Sequence, residues 1–227
     1  MTLIKSLILW GASALNEPCH NFFFDTALKS LNKKELSNYE YLSLSELSIA
    51  ACETNNPDLI WQIAHTETRF RFAIVAFNDS KNGKRTILEG KKAIEYINSN
   101  IVPAVNSNIK PPNVDIGPLQ INAPSHYSKL SEIVFKYKKM NKLFVNNKFI
   151  KSTSLSGYDL ISPYVQVAYL VDEMSSGLSE LCDKKWVGCY HSPYNKYNAS
   201  KYLENIKASG EKLKNIVIKR VISSDIK

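Results

Sequence analysis

The chain has 227 residues, 44% hydrophobic, enough for a compact domain with a sizeable core and too apolar for a disordered segment. Its formal charge of +8 and pI of about 9.2 favour anionic partners such as nucleic acid, acidic headgroups or a cell-wall polymer. The basic residues are spread out, without an aromatic-interleaved cluster, helix-turn-helix or zinc-finger spacing, so the sequence gives no motif for nucleic acid.

Residues 1–14 resemble a signal peptide: one lysine, a short apolar run and a small-x-small site at Ala12-Ser13-Ala14. That run is too short to span a bilayer, and no later stretch reaches the necessary length. The expected location is periplasmic or exported. Four cysteines, Cys19, Cys52, Cys182 and Cys189, suit two disulfides with three possible connectivities. A local Cys182–Cys189 bridge would leave Cys19 with Cys52. A zinc site at Cys182, Cys189 and His191 lacks a CxxC pair and a fourth ligand, so no metal is expected.

Residues 15–42 read as an N-terminal extension, with Phe22-Phe23-Phe24, Ala27 and Leu28 as a short helix laid against the domain. A helix is expected from Ser43 to Thr54. The next opens with Pro57 and places Ile60, Ala64 and Glu67 at i, i+4 and i+7, with Leu59 and Ile63 widening the apolar face. Glu67 therefore ends an apolar stripe, where loss of water raises a carboxyl's pKa and suits it to general-acid chemistry. His65, two residues earlier, faces another way; His20, His65 and His126 read as ordinary, partly exposed histidines.

Phe72–Phe77 and Lys84–Leu88 flank the turn cluster Asn78–Gly83 and read as a β-hairpin. A helix follows over Lys91–Ile101. Asp115-Ile116-Gly117-Pro118-Leu119-Gln120-Ile121-Asn122 reads as a turn and a short buried strand, with Asp115 as a turn cap. Residues 136–158 read as a surface excursion, Pro163–Met174 as a helix, and Lys201–Val221 as a helical tail. Trp186 and Tyr190 lie one helical turn apart and could line a sugar-binding face. Helices dominate around one small β element, which predicts an α+β, mainly α, single domain.

Three segments in order carry a resemblance: Glu67-Thr68 at the end of an apolar helix, Gly117-Pro118-Leu119-Gln120-Ile121, and Tyr190-His191-Ser192-Pro193 after Trp186. They resemble the Glu-Ser, Gly-Leu-Met-Gln-Ile and Tyr-Asn-Ala-Gly motifs of the soluble lytic transglycosylases of the goose-lysozyme-like fold. The hairpin, the helix after it and Asn113–Gly117 look most like the transglycosylases that serve type IV secretion and conjugative transfer.

The resemblance implies a lysozyme-like domain over 43–205 with a small β-hairpin lobe, and a C-terminal helical tail over 206–227. It implies cleavage of peptidoglycan glycan strands with Glu67 as acid/base, no cofactor, and apparatus proteins of a secretion or conjugation system as partners. By the same resemblance, Thr68 orients Glu67, and Gln120, Asn122, Tyr190 and His191 contact substrate. Pro118 and His191-Ser192 depart from the family pattern. Two other readings follow: a muramidase, with Asp115 activating water, or a catalytically weak wall-binding assembly component.

Overall fold

The computed structural model describes residues 17–31, 36–78, 85–139, 154–173 and 196–224. The signal-peptide reading of 1–14, the cysteines at 182 and 189, Trp186, and Tyr190 and His191 fall outside the described residues. So does 140–153, most of the expected surface excursion.

Nine helices and four short strands are described. Helix α1 (Glu17–Leu31) packs on α2 (Asn38–Cys52), and the Cys19–Cys52 disulfide staples them with Cα atoms 6.0 Å apart. The expected start of α2 at Ser43 is corrected to Asn38. Ser37 makes a capping box with Glu40, its hydroxyl taking the Glu40 N–H while the Glu40 carboxylate takes the Ser37 N–H. The boundary drawn at 42/43 thus falls inside a helix. Phe23, Phe24 and Ala27 of α1 belong to the buried core.

Helix α3 (Pro57–Thr68) follows, with proline in its first turn and the Asn56 side chain accepting from Leu59 N. Ile60, Trp61, Ile63 and Ala64 are all buried. The chain then turns sharply through two left-handed residues, Arg69 (φ 52°) and Phe70 (φ 61°). Such conformations cost a non-glycine residue about 1–3 kcal/mol each and persist where the surroundings fix them. Here Phe70 is buried against the rings of Trp61 and His65.

Strands β1 (Ile74–Phe77), β2 (Ile87–Glu89), β3 (Val114–Ile116) and β4 (Ile121–Asn122) form one antiparallel sheet in the order β2-β1-β3-β4. The single hairpin expected from the sequence is therefore half of the sheet. The segment expected as a turn and one short strand is a second hairpin, because Val114 and Ile116 pair with Phe77 and Val75 of β1.

Between the hairpins, α4 (Lys91–Tyr96), a widened π-helical turn (Ile97–Ile101) and α5 (Val102–Asn106) run on past the expected end at Ile101. Helix α6 (Ala123–Lys139), the short α7 (Gly157–Leu160) and α8 (Pro163–Glu173) complete the core, and α9 (Lys196–Ser224) lies along α3 and α1. The segment expected as a tail is helical, but it continues without a break from the residues before 206. It puts Ile206 and Leu213 into the core, and Gly210 lets Gln62 approach.

Glu46 of α2 is buried at 3% exposure beneath the start of α8. Its Oε1 accepts from the Ser162 hydroxyl and, at 3.1 Å, from Tyr164 N, while Oε2 has no partner among the described residues. Burial pushes its pKa up to about 8; the Ser162 hydrogen bond opposes this and the Asp159 charge adds to it. A carboxyl with a raised folded pKa stabilises the fold below its unfolded pKa and withdraws that contribution as pH rises toward the folded value. Wild type should therefore lose stability between about pH 5 and 8 by an amount of order a few kcal/mol that Glu46→Gln does not lose. Urea unfolding of both proteins across that range checks this.

Candidate active site

The site is built where α3, the sheet and α9 meet. Glu67 is partly buried near the end of α3, and its Oε1 accepts a 2.6 Å hydrogen bond from the hydroxyl of Tyr202 on α9. Burial raises its pKa to about 7. The Tyr202 hydrogen bond pulls the other way, the Asp115 carboxylate raises it further, and the Arg85 guanidinium lowers it. A carboxyl so poised is partly protonated at neutral pH and can both give and take a proton.

Asp115 is not a turn cap. It lies in β3 opposite Ala76 and Asn122, between the buried Val114 and Ile116, so strand alternation turns it away from the core. Its Oδ1 accepts from Asn78 Nδ2 and Asn122 Nδ2, both at 2.9 Å, and its Oδ2 pairs with Arg85. Arg85 also donates to Asn78 Oδ1 at 2.7 Å and keeps 41% of its side chain exposed. The result is a polar wall on the sheet whose charges bear on Glu67.

The residues expected to contact substrate divide. Asn122 joins the wall, with its amide on Asp115 and its Oδ1 accepting from Ser125 at 2.6 Å. The Thr68 hydroxyl does not hydrogen-bond the Glu67 carboxyl. Thr68 is buried at 1% exposure, and its hydroxyl is shared between Ala64 O and Pro118 O, 3.1 Å from each. Being one residue past Glu67, it faces inward, and it ties the helix end to the 117–120 turn. Gln120, left-handed at φ 53°, folds its Nε2 back onto Gly117 O at 3.0 Å. Tyr190 and His191 lie outside the described residues, and the hydroxyl on Glu67 comes from Tyr202.

Tyr202, Arg85 and Asn78 join the site without belonging to any of the three sequence motifs. In the sequence Asn78 is only the first residue of a polar turn cluster and Arg85 only a residue of the returning strand, and neither carries a local signal of a site. His65 is buried at 7% exposure rather than partly exposed, because it packs on Phe70; burial, then Lys212 and Arg69, lower its pKa. His126 bonds the Tyr169 hydroxyl at 2.7 Å, and His20 lies 3.2 Å from Ser45 Oγ. No cluster among the described residues has the ligands for a metal ion. An apolar groove lined by Phe22, Phe23, Trp61, Gln62, Leu213 and Lys214 lies on the face of α3 away from Glu67 and takes no part in the site.

No family model, no curated protein and no solved structure matches this chain. The site is therefore read from its own chemistry.

Two substitutions should move Glu67 in opposite directions. Tyr202→Phe removes the donor that favours the charged form and should raise its titration midpoint above about 7; Asp115→Asn removes a like charge and should lower it. Carbon-13 NMR of the glutamate side-chain carboxyls, assigned with Glu67→Gln, reads both shifts.

Proposed function

We propose that the protein is a peptidoglycan lytic transglycosylase on a lysozyme-like domain. The observation that carries this reading is Glu67: one carboxyl, partly buried, held by a tyrosine hydroxyl and poised to about 7 beside a polar wall. Protonated Glu67 gives its proton to the glycosidic oxygen between N-acetylmuramic acid and N-acetylglucosamine as the C1–O bond breaks. An oxocarbenium-like state follows. Glu67, now a carboxylate, takes the proton of the muramyl O6 hydroxyl as O6 bonds to C1. The product is a 1,6-anhydro sugar, and water is neither consumed nor needed.

Tyr202 would hold the Glu67 carboxyl through both transfers, and the amides of Asn78 and Asn122 would face the glycan. In the muramidase reading a second carboxylate activates water. Asp115 is the candidate, since its charge reaches Glu67. Its oxygens, however, already accept from two amides and a guanidinium, which makes it a poor base. The single-carboxyl route is the better fit.

The Cys19–Cys52 disulfide suits an oxidising compartment, and no helix among the described residues is long and apolar enough to cross a membrane. Both are compatible with work on the wall in the periplasm or outside the cell. The +8 charge suits a polyanionic wall. Local wall opening for secretion or conjugation machinery is the setting that the resemblance of the hairpin, the helix after it and Asn113–Gly117 implies.

Mass spectrometry of muropeptides released from purified sacculi tests the reading. Wild type should release anhydromuropeptides, Glu67→Gln should lose about 10²–10⁴-fold of that rate, and Asp115→Asn should keep the anhydro product. Reducing-end products lost with Asp115→Asn would establish a muramidase instead. Sacculi bound but uncleaved by wild type would leave a wall-binding assembly component.

A further inference from the structure

Gln166 is the one polar residue in the apolar run Tyr164-Val165-Gln166-Val167 of α8, and it is fully buried. Its polar atoms are spent on backbone. Oε1 accepts from Leu119 N at 2.9 Å, and Nε2 donates to Ile116 O at 2.9 Å and to Leu160 O at 3.3 Å. The amide thus ties the end of β3 at Ile116 to Leu119 within the 117–120 turn, much as a neighbouring strand would.

That turn needs holding. Gly117 (φ 73°) and Gln120 (φ 53°) are both left-handed, and Gln120 carries a side chain that makes this conformation costly. A Cβ on Gly117 would stand 2.1 Å from Gln166 Nε2, so a side chain at 117 would displace the glutamine amide from its place. The turn is tied outward on two sides. Gly117 N donates to Ile74 O at 2.9 Å, and Pro118 O accepts from Thr68. Thr68 adjoins Glu67, and Ile116 adjoins Asp115.

We propose that Gln166 is a positioning residue that fixes Glu67 and Asp115 relative to each other through the Gly117–Gln120 turn. Its catalytic consequence rests on the reading of Glu67 as the acid/base. A buried residue that only filled space would be served as well by an apolar side chain of equal length. The three backbone hydrogen bonds are what such a side chain could not make.

The test compares wild type, Gln166→Met, Gly117→Ala and the double variant. Thermal unfolding confirms folding. Glycan cleavage gives kcat and KM, and carbon-13 NMR gives the midpoint of the Glu67 carboxyl, which faces Tyr202, Asp115 and Arg85. Folded Gln166→Met should lose about 10²-fold in kcat, the scale of a small misplacement of reacting groups. KM should change less than about threefold. The Glu67 midpoint should move from near 7 toward the ordinary glutamate range as the turn loosens and water reaches the carboxyl.

The double variant should be no worse than the worse single one, because both break the same fit. Where Gln166→Met does not fold, Gly117→Ala gives the same readouts. A folded variant with an unmoved Glu67 midpoint overturns the proposal, whatever its effect on stability. If wild type cleaves no glycan, the functional reading falls. The NMR midpoint then decides the positioning role alone: a shift sustains it and no shift removes it.

Discussion

The end of α3 is held from two sides, and the rest of the site depends on that. On one side the Tyr202 hydroxyl of α9 reaches Glu67; on the other the Thr68 hydroxyl reaches Pro118 O in the turn between β3 and β4. Adjacent residues of one helix thus bind two different layers. A helix face rotates by about 100° per residue, which is why one of the pair is partly exposed and its neighbour lies in the core. The carboxyl is then neither free in water nor sealed in the interior. A fully sealed acid would give up its proton with difficulty, and a solvated one would hold none at neutral pH.

The sheet supplies the other half of the electrostatics. Its alternation buries Val114 and Ile116 and turns Asp115 outward, where Asn78, Asn122 and Arg85 occupy it. An anion satisfied by three donors acts on Glu67 through its field rather than by taking protons. That difference, one carboxyl poised near 7 and one whose charge raises its neighbour's pKa, follows from their surroundings rather than from their residue types.

The sequence carried Glu67 plainly, because three residues at helical spacing and a proline opening fix the face it ends. The Cys19–Cys52 bridge is one of the pairings that four cysteines leave open, and the close approach of α1 and α2 selects it. Tyr202 was not legible, since 135 positions separate it from Glu67 and nothing local in α9 singles it out. Asp115 reads in the sequence as part of a turn, because a three-residue strand is too short for a period-2 pattern to stand out. The Ser37–Glu40 capping box was in plain view and would have moved the start of α2 outward. Gln166 offered a signal too, as a lone amide among apolar helix residues, but only the close approach to Gly117 gives it meaning.

If the proton on Glu67 is the one that glycan cleavage uses, the rate must follow its titration. The most direct measurement is the pH dependence of kcat/KM for cleavage of glycan strands, set beside the Glu67 carboxyl midpoint in the same free protein. The rate should fall as pH rises through about 7, with the descending limb matching that midpoint. A carboxyl midpoint in the ordinary glutamate range, or a descending limb that stays in place when Tyr202→Phe moves the midpoint, would contradict it.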